Sequence, residues 1–290
     1  MLGLALGLGI DVVRVGGVEA WLAARQATVA PALPPYEASG RLIDVEGRAV
    51  YLDCRGAGSP TVILEAGFGS GANGWGTVLD GVAAFTRVCA WDRPGLWRSD
   101  ARGHHSAADA AADLRAALRG AGEQGPFIVV AHSLGGVYAR LFAVGPDVAS
   151  ESDEVLAFLM LDTYEPDIGV ADDPTLSADV RAGVQQSLDE TGASIQGGED
   201  LDWAATLREL AEAGQVQLST ILLTVDPRLR YRNPDPAVTE ALIAAWHRGI
   251  AARYPNGRLE IVPTGHMVQF DRPDLVIERT RELVLRYRSP

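Results

Sequence analysis

Phe127-Ile-Val-Val-Ala-His-Ser-Leu-Gly-Gly136 joins an apolar run to a polar tip and then to two glycines. An unbroken apolar run of this kind suits a parallel strand buried on both faces. A helical pattern follows from residue 134 to 144, and Gly145-Pro146 ends it. A sharp strand-to-helix turn forces the residue at its tip into strained backbone geometry, exposed above the sheet. That residue is Ser133. Ala131 and Gly135, two positions either side, are small enough to let strand and helix approach, although the first of these places more usually holds glycine. A serine hydroxyl is a weak nucleophile unless it is held rigidly and paired with a base. On these residues alone, Ser133 reads either as a nucleophile or as a helix cap behind a buried strand.

Working outward, short runs rich in Val, Ile, Leu and Phe recur at 61–65, 86–90 and 155–161, and again at 220–225 and 258–262. Residues 41–46 and 49–54 flank Gly47 and read as a hairpin. Helical stretches lie between the runs. Ser106 is placed to cap a helix over 107–119 with Gly120 as its stop, and a last helix is expected over 273–287. This rhythm predicts an α/β fold with a doubly wound, mostly parallel sheet. Residues 166–218 break the rhythm. They are acidic and helical in pattern, and they read as a lid inserted into a core formed by 40–165 and 219–290.

Residues 1–39 stand apart behind Pro31, Pro34 and Pro35. Residues 1–10 are apolar but too short to span a bilayer and lack a basic leader. They read as the remnant of a targeting or anchor segment, or as the first turns of a helix running to Arg25. Any membrane association would pass through this segment. A cytoplasmic location is expected, with export or tethering as alternatives.

The formal charge of −13 excludes a nucleic-acid partner and disfavours a polyanionic substrate, which the protein's own field would repel. The two cysteines, Cys54 and Cys89, sit in apolar strand-like runs and read as buried free thiols; a single bridge between them is the alternative. No metal-ligand spacing is visible, and no cofactor is expected. Oligomeric state is not legible.

Four ordered blocks resemble the α/β-hydrolase superfamily over residues 40–287. Leu64-Glu-Ala-Gly-Phe-Gly-Ser-Gly71, followed by Trp75, is similar to the family's oxyanion-hole loop. Trp91-Asp-Arg-Pro-Gly-Leu-Trp-Arg-Ser99 resembles the block after the fourth strand, where Asp92, Arg93 and Ser99 are expected to fix the turn. The Ser133 turn is the third block, and Pro263-Thr-Gly-His-Met-Val-Gln-Phe270 resembles the catalytic-histidine loop. The resemblance implies Ser133 as nucleophile, His266 as base, and the backbone N–H groups of Phe68 and Leu134 as oxyanion donors. The family's usual histidine before Gly67 is Ala66 here.

The acid is a choice between two carboxylates. Asp226 follows the strand at 220–225 directly, somewhat early for the family pattern, and precedes Pro227. Asp162 ends the preceding strand, in Leu161-Asp-Thr-Tyr-Glu165, and is preferred; Glu165 comes third. Serine at the elbow argues against dehalogenases and epoxide hydrolases of this fold, which the resemblance associates with a carboxylate nucleophile. The expected activity is hydrolysis of a small-molecule acyl substrate, a carboxylic ester first. An aminopeptidase or amidase, and a noncatalytic binding protein of the same fold, are the alternatives.

Overall fold

The computed structural model describes residues 11–14, 36–144, 154–230 and 235–288. The expectations for residues 1–10, for the prolines at 31–35 and for the Gly145-Pro146 stop lie outside the described residues. Within them, β1 (Asp11–Arg14) is a strand, which corrects the expectation of a helix running to Arg25. The β-branched pair Val12-Val13 favours an extended chain.

The hairpin β2 (Arg41–Val45) and β3 (Arg48–Arg55) leads into β4 (Thr61–Glu65), the helix α1 (Gly76–Ala83) and β5 (Val88–Trp91). Then come α2 (Ala107–Ala121), β6 (Phe127–His132), α3 (Gly135–Val144) and β7 (Val155–Leu161). Two helices, α4 (Ala178–Glu199) and α5 (Trp203–Ala213), stand between β7 and β8 (Ser219–Thr224). The chain closes with α6 (Pro227–Arg230), α7 (Pro236–Arg253), β9 (Gly257–Ile261), α8 (Val268–Asp271) and α9 (Pro273–Tyr287).

The nine strands form one sheet in the order β1-β9-β8-β7-β6-β4-β5-β3-β2, as the doubly wound reading requires. Only the pairs made by β3, with β2 and with β5, are antiparallel; all others are parallel. The period-2 pleat explains the unbroken apolar runs. In β4, Val62 and Leu64 enter a core with α1 and α9, while Ile63 enters the opposite core with α2 and α3. Each such side chain, fully withdrawn from water, contributes about 1.5–3 kcal/mol.

Helix α2 begins as expected. Ser106 accepts from the Asp109 N–H, and the Asp109 carboxylate accepts from the Ser106 N–H, a reciprocal capping box. Its stop is not Gly120 but Gly122, which adopts φ +79°. Gly120 stays in the last turn because the left-handed cap forms at Gly122, whose N–H bonds the Arg119 and Leu118 carbonyls.

The cysteines are corrected too. Cys54 on β3 and Cys89 on β5 stand directly opposite in the antiparallel ladder, Cα atoms 4.0 Å apart, and form a disulfide. Both runs are strands, as expected. What the sequence does not reveal is that β3 and β5 are neighbours.

Candidate active site

The sheet order brings the blocks together. β4 and β6 are adjacent and parallel, with Glu65 opposite Ala131, so the loops leaving their C-terminal ends meet. This is also where the chain reverses its winding direction, the usual crevice of doubly wound sheets. The approach is close. A methyl on Gly135 would lie 2.4 Å from the Glu65 carbonyl oxygen, and one on Gly67 would lie 3.2 Å from Ser133 Cβ. Ser133 adopts φ +51°, the left-handed region that strains a residue with a side chain. The turn is clamped by two backbone bonds, Ser133 N–H to the Leu161 carbonyl at 3.1 Å and Tyr164 N–H to the Ser133 carbonyl at 2.9 Å.

His266 arrives on the loop after β9. Its Nε2 lies 3.0 Å from Ser133 Oγ and its Nδ1 lies 2.6 Å from Asp162 Oδ2. With Nδ1–H donating to the carboxylate, Nε2 is left as the acceptor facing the hydroxyl. Asp162, at the end of β7, is buried, and its other oxygen accepts from Thr224 Oγ1 at 3.0 Å and the Val225 N–H at 3.4 Å. Asp226 points elsewhere: its carboxylate is held by the Arg228 side chain and accepts from the Arg228 N–H at 3.0 Å. Glu165 is buried against Arg140, Thr163 and the Tyr254 hydroxyl.

His132 sits beneath this chain of bonds. Its Nε2 lies 2.9 Å from the His266 carbonyl oxygen, which can only accept, so the proton is on Nε2. Burial, with the neighbouring His266 ring as a second cause, pushes its pKa down to about 4. It is therefore neutral at physiological pH.

The loop carrying Phe68 is held from below by a buried charge cluster. Arg93 was expected to brace its own turn; instead it reaches out of it. It donates from Nη1 to the Ala66 carbonyl at 2.6 Å and to the Glu65 carboxylate at 2.9 Å, and from Nη2 to the Gly67 carbonyl at 2.7 Å. Asp92 and Ser99 do brace the turn, Asp92 through the Ala72 and Arg98 N–H groups and Ser99 through the Asp92 carbonyl. Glu199, the last residue of α4, pairs with Arg93 and accepts from the Gly69 N–H at 2.8 Å and from Tyr138 Oη at 2.9 Å. Burial pushes the Glu65 carboxyl up to about 7 against the pull of Arg93. Burial also acts to raise Glu199, but Arg93, the Gly69 N–H and the Tyr138 hydroxyl outweigh it and hold this carboxyl below its ordinary value. In the sequence Glu199 is one acid among several in residues 166–218, and Tyr138 is one residue of the helical pattern after Ser133. No local pattern marks either, because their partners lie far away in the chain.

Other acids of the stretch are also paired with the body: Asp167 with Arg140 and Arg253, Asp173 with Arg248. Between α4 and α7 lies a cavity of about 650 Å³ with an apolar lining that includes Val180, Val184, Leu242 and Trp246. Tyr164, two residues beyond Asp162, also borders it, whereas Ser133 and His266 do not.

The chain is similar to known proteins. A model described as the alpha/beta hydrolase family matches residues 62–279. Among solved structures, the Cif epoxide hydrolase of Acinetobacter nosocomialis is similar with a TM-score of 0.59 at 15% identity, covering 93% of this chain and 97% of that one. A thermophilic esterase of Thermogutta terrifontis is similar with a TM-score of 0.52 at 17% identity, covering 87% and 100%. Among curated proteins, an uncharacterised protein of Schizosaccharomyces pombe is 49% identical over 59 residues, 20% of this chain and 11% of that protein. A probable transporter of Hormonema carpetanum is 29% identical over 129 residues, 42% of this chain and 18% of that protein. The chain thus spans under a fifth of the length of both curated relatives.

Proposed function

The chain belongs to the alpha/beta hydrolase family, and within it we propose that it is a serine hydrolase cleaving a small carboxylic ester, or a related acyl compound, through an acyl-enzyme. The observation that carries the reading is the unbroken line Ser133 Oγ, His266, Asp162, at 3.0 and 2.6 Å.

Ser133 Oγ attacks the acyl carbon while His266 Nε2 takes its proton. Asp162 holds the imidazole with Nδ1 protonated and stabilises the imidazolium that forms. Negative charge then develops on the former carbonyl oxygen, where the Phe68 and Leu134 N–H groups are the proposed donors. Among the described residues, neither N–H donates to a backbone carbonyl, which leaves both available. Collapse of the adduct breaks the bond to the leaving alcohol, which takes the proton from His266. Water, deprotonated by the same histidine, then attacks the acyl-enzyme and releases the acid. Helices α4 and α5 serve as the lid over this step.

A fluorophosphonate probe tests the reading, with Ser133→Ala as the control. Labelling of the wild type, lost in the variant, is expected, together with turnover of short p-nitrophenyl esters. A wild type that is neither labelled nor active would leave a noncatalytic binding protein of this fold. Labelling together with turnover of aminoacyl amides but not of esters would move the assignment to an amidase or aminopeptidase.

A further inference from the structure

The segment 66–71 contains Gly67, Gly69 and Gly71, so its own sequence does little to hold it. Ala66 offers no side-chain hydrogen bond. A backbone donor must nevertheless be fixed closely if it is to stabilise a developing charge. The Ser70 N–H closes a turn onto the Gly67 carbonyl at 3.1 Å, and the bonds that tie this turn to the body of the protein come from elsewhere in the chain.

The Gly67 carbonyl and the Phe68 N–H belong to one peptide plane and, in a trans peptide, point in opposite directions. Arg93 Nη2 holds that carbonyl at 2.7 Å. Together with the Ser70 N–H on the same oxygen, it sets the direction of the Phe68 N–H. Arg93 is itself held by Glu199, with Nε at 3.0 Å and Nη2 at 2.7 Å from the two carboxylate oxygens. Glu199 also captures the next N–H along, that of Gly69, at 2.8 Å. The residue before it, Gly198, lies against the Phe68 ring so closely that a methyl there would stand 2.3 Å from Phe68 Cζ. Two consecutive residues at the end of α4 thus clasp two consecutive residues of the loop.

We propose that Glu199 is a positioning residue: acting through Arg93 and the Gly69 N–H, it orients the Phe68 amide, so that the donor is set only when α4 is seated. This rests on the serine-hydrolase reading. Glu65 supplies a second carboxylate to Arg93, so a neutral residue at 199 leaves the arginine paired.

The test compares Glu199→Ala and Glu199→Gln in the full chain. Glu199→Ala is expected to lower kcat for p-nitrophenyl butyrate by about 10²-fold, the loss typical of one oxyanion donor, with KM changed by less than about threefold. Glu199→Gln keeps an oxygen that can accept the Gly69 N–H and is expected to remain within about tenfold of wild type. Amide exchange in peptides covering 66–70 should speed up in Glu199→Ala and much less in Glu199→Gln. A Glu199→Ala variant with normal kcat, a loss confined to KM, or unchanged exchange at 66–70 overturns the proposal. A wild type without activity or labelling sinks the hydrolase reading and the catalytic purpose with it. The exchange arm still reports whether Glu199 holds the loop, which separates the two failures.

Discussion

His132 Nε2 donates to the backbone carbonyl of His266 across 2.9 Å, so the residue before the proposed nucleophile anchors the loop that carries the proposed base. The bond joins β6 to the loop after β9, across two intervening strands. The two rings lie 4.8 Å apart between centroids, and His266 Nδ1 is bonded to Asp162 at 2.6 Å.

This relationship sets a pH dependence. Burial, and after it the neighbouring His266, holds the His132 pKa down at about 4, against an ordinary value of 6.5. A pKa depressed by folding stabilises above the unfolded value, and the stabilisation is lost as pH falls from about 6.5 through about 4. At pH 4.5 the loss amounts to about 2–3 kcal/mol. Glu65 acts in the opposite sense, since its raised pKa makes it less favourable as pH rises from 4.5 towards 7. Urea unfolding of wild type and His132→Asn at pH 7.5 and 4.5 isolates the histidine. The variant should lose less stability between the two values; an equal loss contradicts the assignment.

Asp162→Asn should reduce kcat by about 10²-fold or more, because the imidazole loses control of its tautomer. Asp226→Asn should have a much smaller effect, since Asp226 is engaged with Arg228. Steady-state kinetics with one ester ranks the two variants. The reverse order would move the acid to Asp226.

The Cys54–Cys89 bridge closes a loop of 35 residues, which corresponds to about 3–4 kcal/mol of stability from restriction of the unfolded chain. A Cys54→Ala, Cys89→Ala double variant should unfold at correspondingly lower urea than the oxidised wild type. Equal midpoints, or free thiols in the purified native protein by a thiol-reagent count, would remove the bridge from the account.

Two glycines should respond with opposite signs. Gly135→Ala drives a methyl to 2.4 Å from the Glu65 carbonyl oxygen, and the neighbouring backbone belongs to β4, so the expected loss is about 1–3 kcal/mol or more. Gly197, within α4, has open space around it. Gly197→Ala should therefore gain about 0.5–1 kcal/mol from helix propensity alone. Thermal melts of both variants check the pair, and a common sign would contradict the packing described here.

Much of the architecture was legible because it is local. The apolar run at 61–65 is β4 with the expected bounds, 155–161 is β7, and Ser106 caps α2. Elsewhere a distant neighbour decides. Cys54 and Cys89 read as lone thiols until β3 and β5 pair. Arg93 reads as part of its own turn until the loop at 66–69 lies within its reach.

The sequence by itself determined the alternation of strands and helices, the strained tip at Ser133 and the choice of His266 among five histidines. The first two follow from side-chain periodicity and small residues beside a turn, read within a few residues of each other, and the third from the order of four blocks along the chain. Tertiary structure alone decided which carboxylate faces His266, which cysteines meet and what holds the Phe68 loop. Those outcomes depend on strand order and on where side chains point. Asp162 meets His266 across 104 residues of chain, and Glu199 meets Arg93 across 106. At such separations the contact is made by packing of the whole sheet and its helices, and no local pattern carries it.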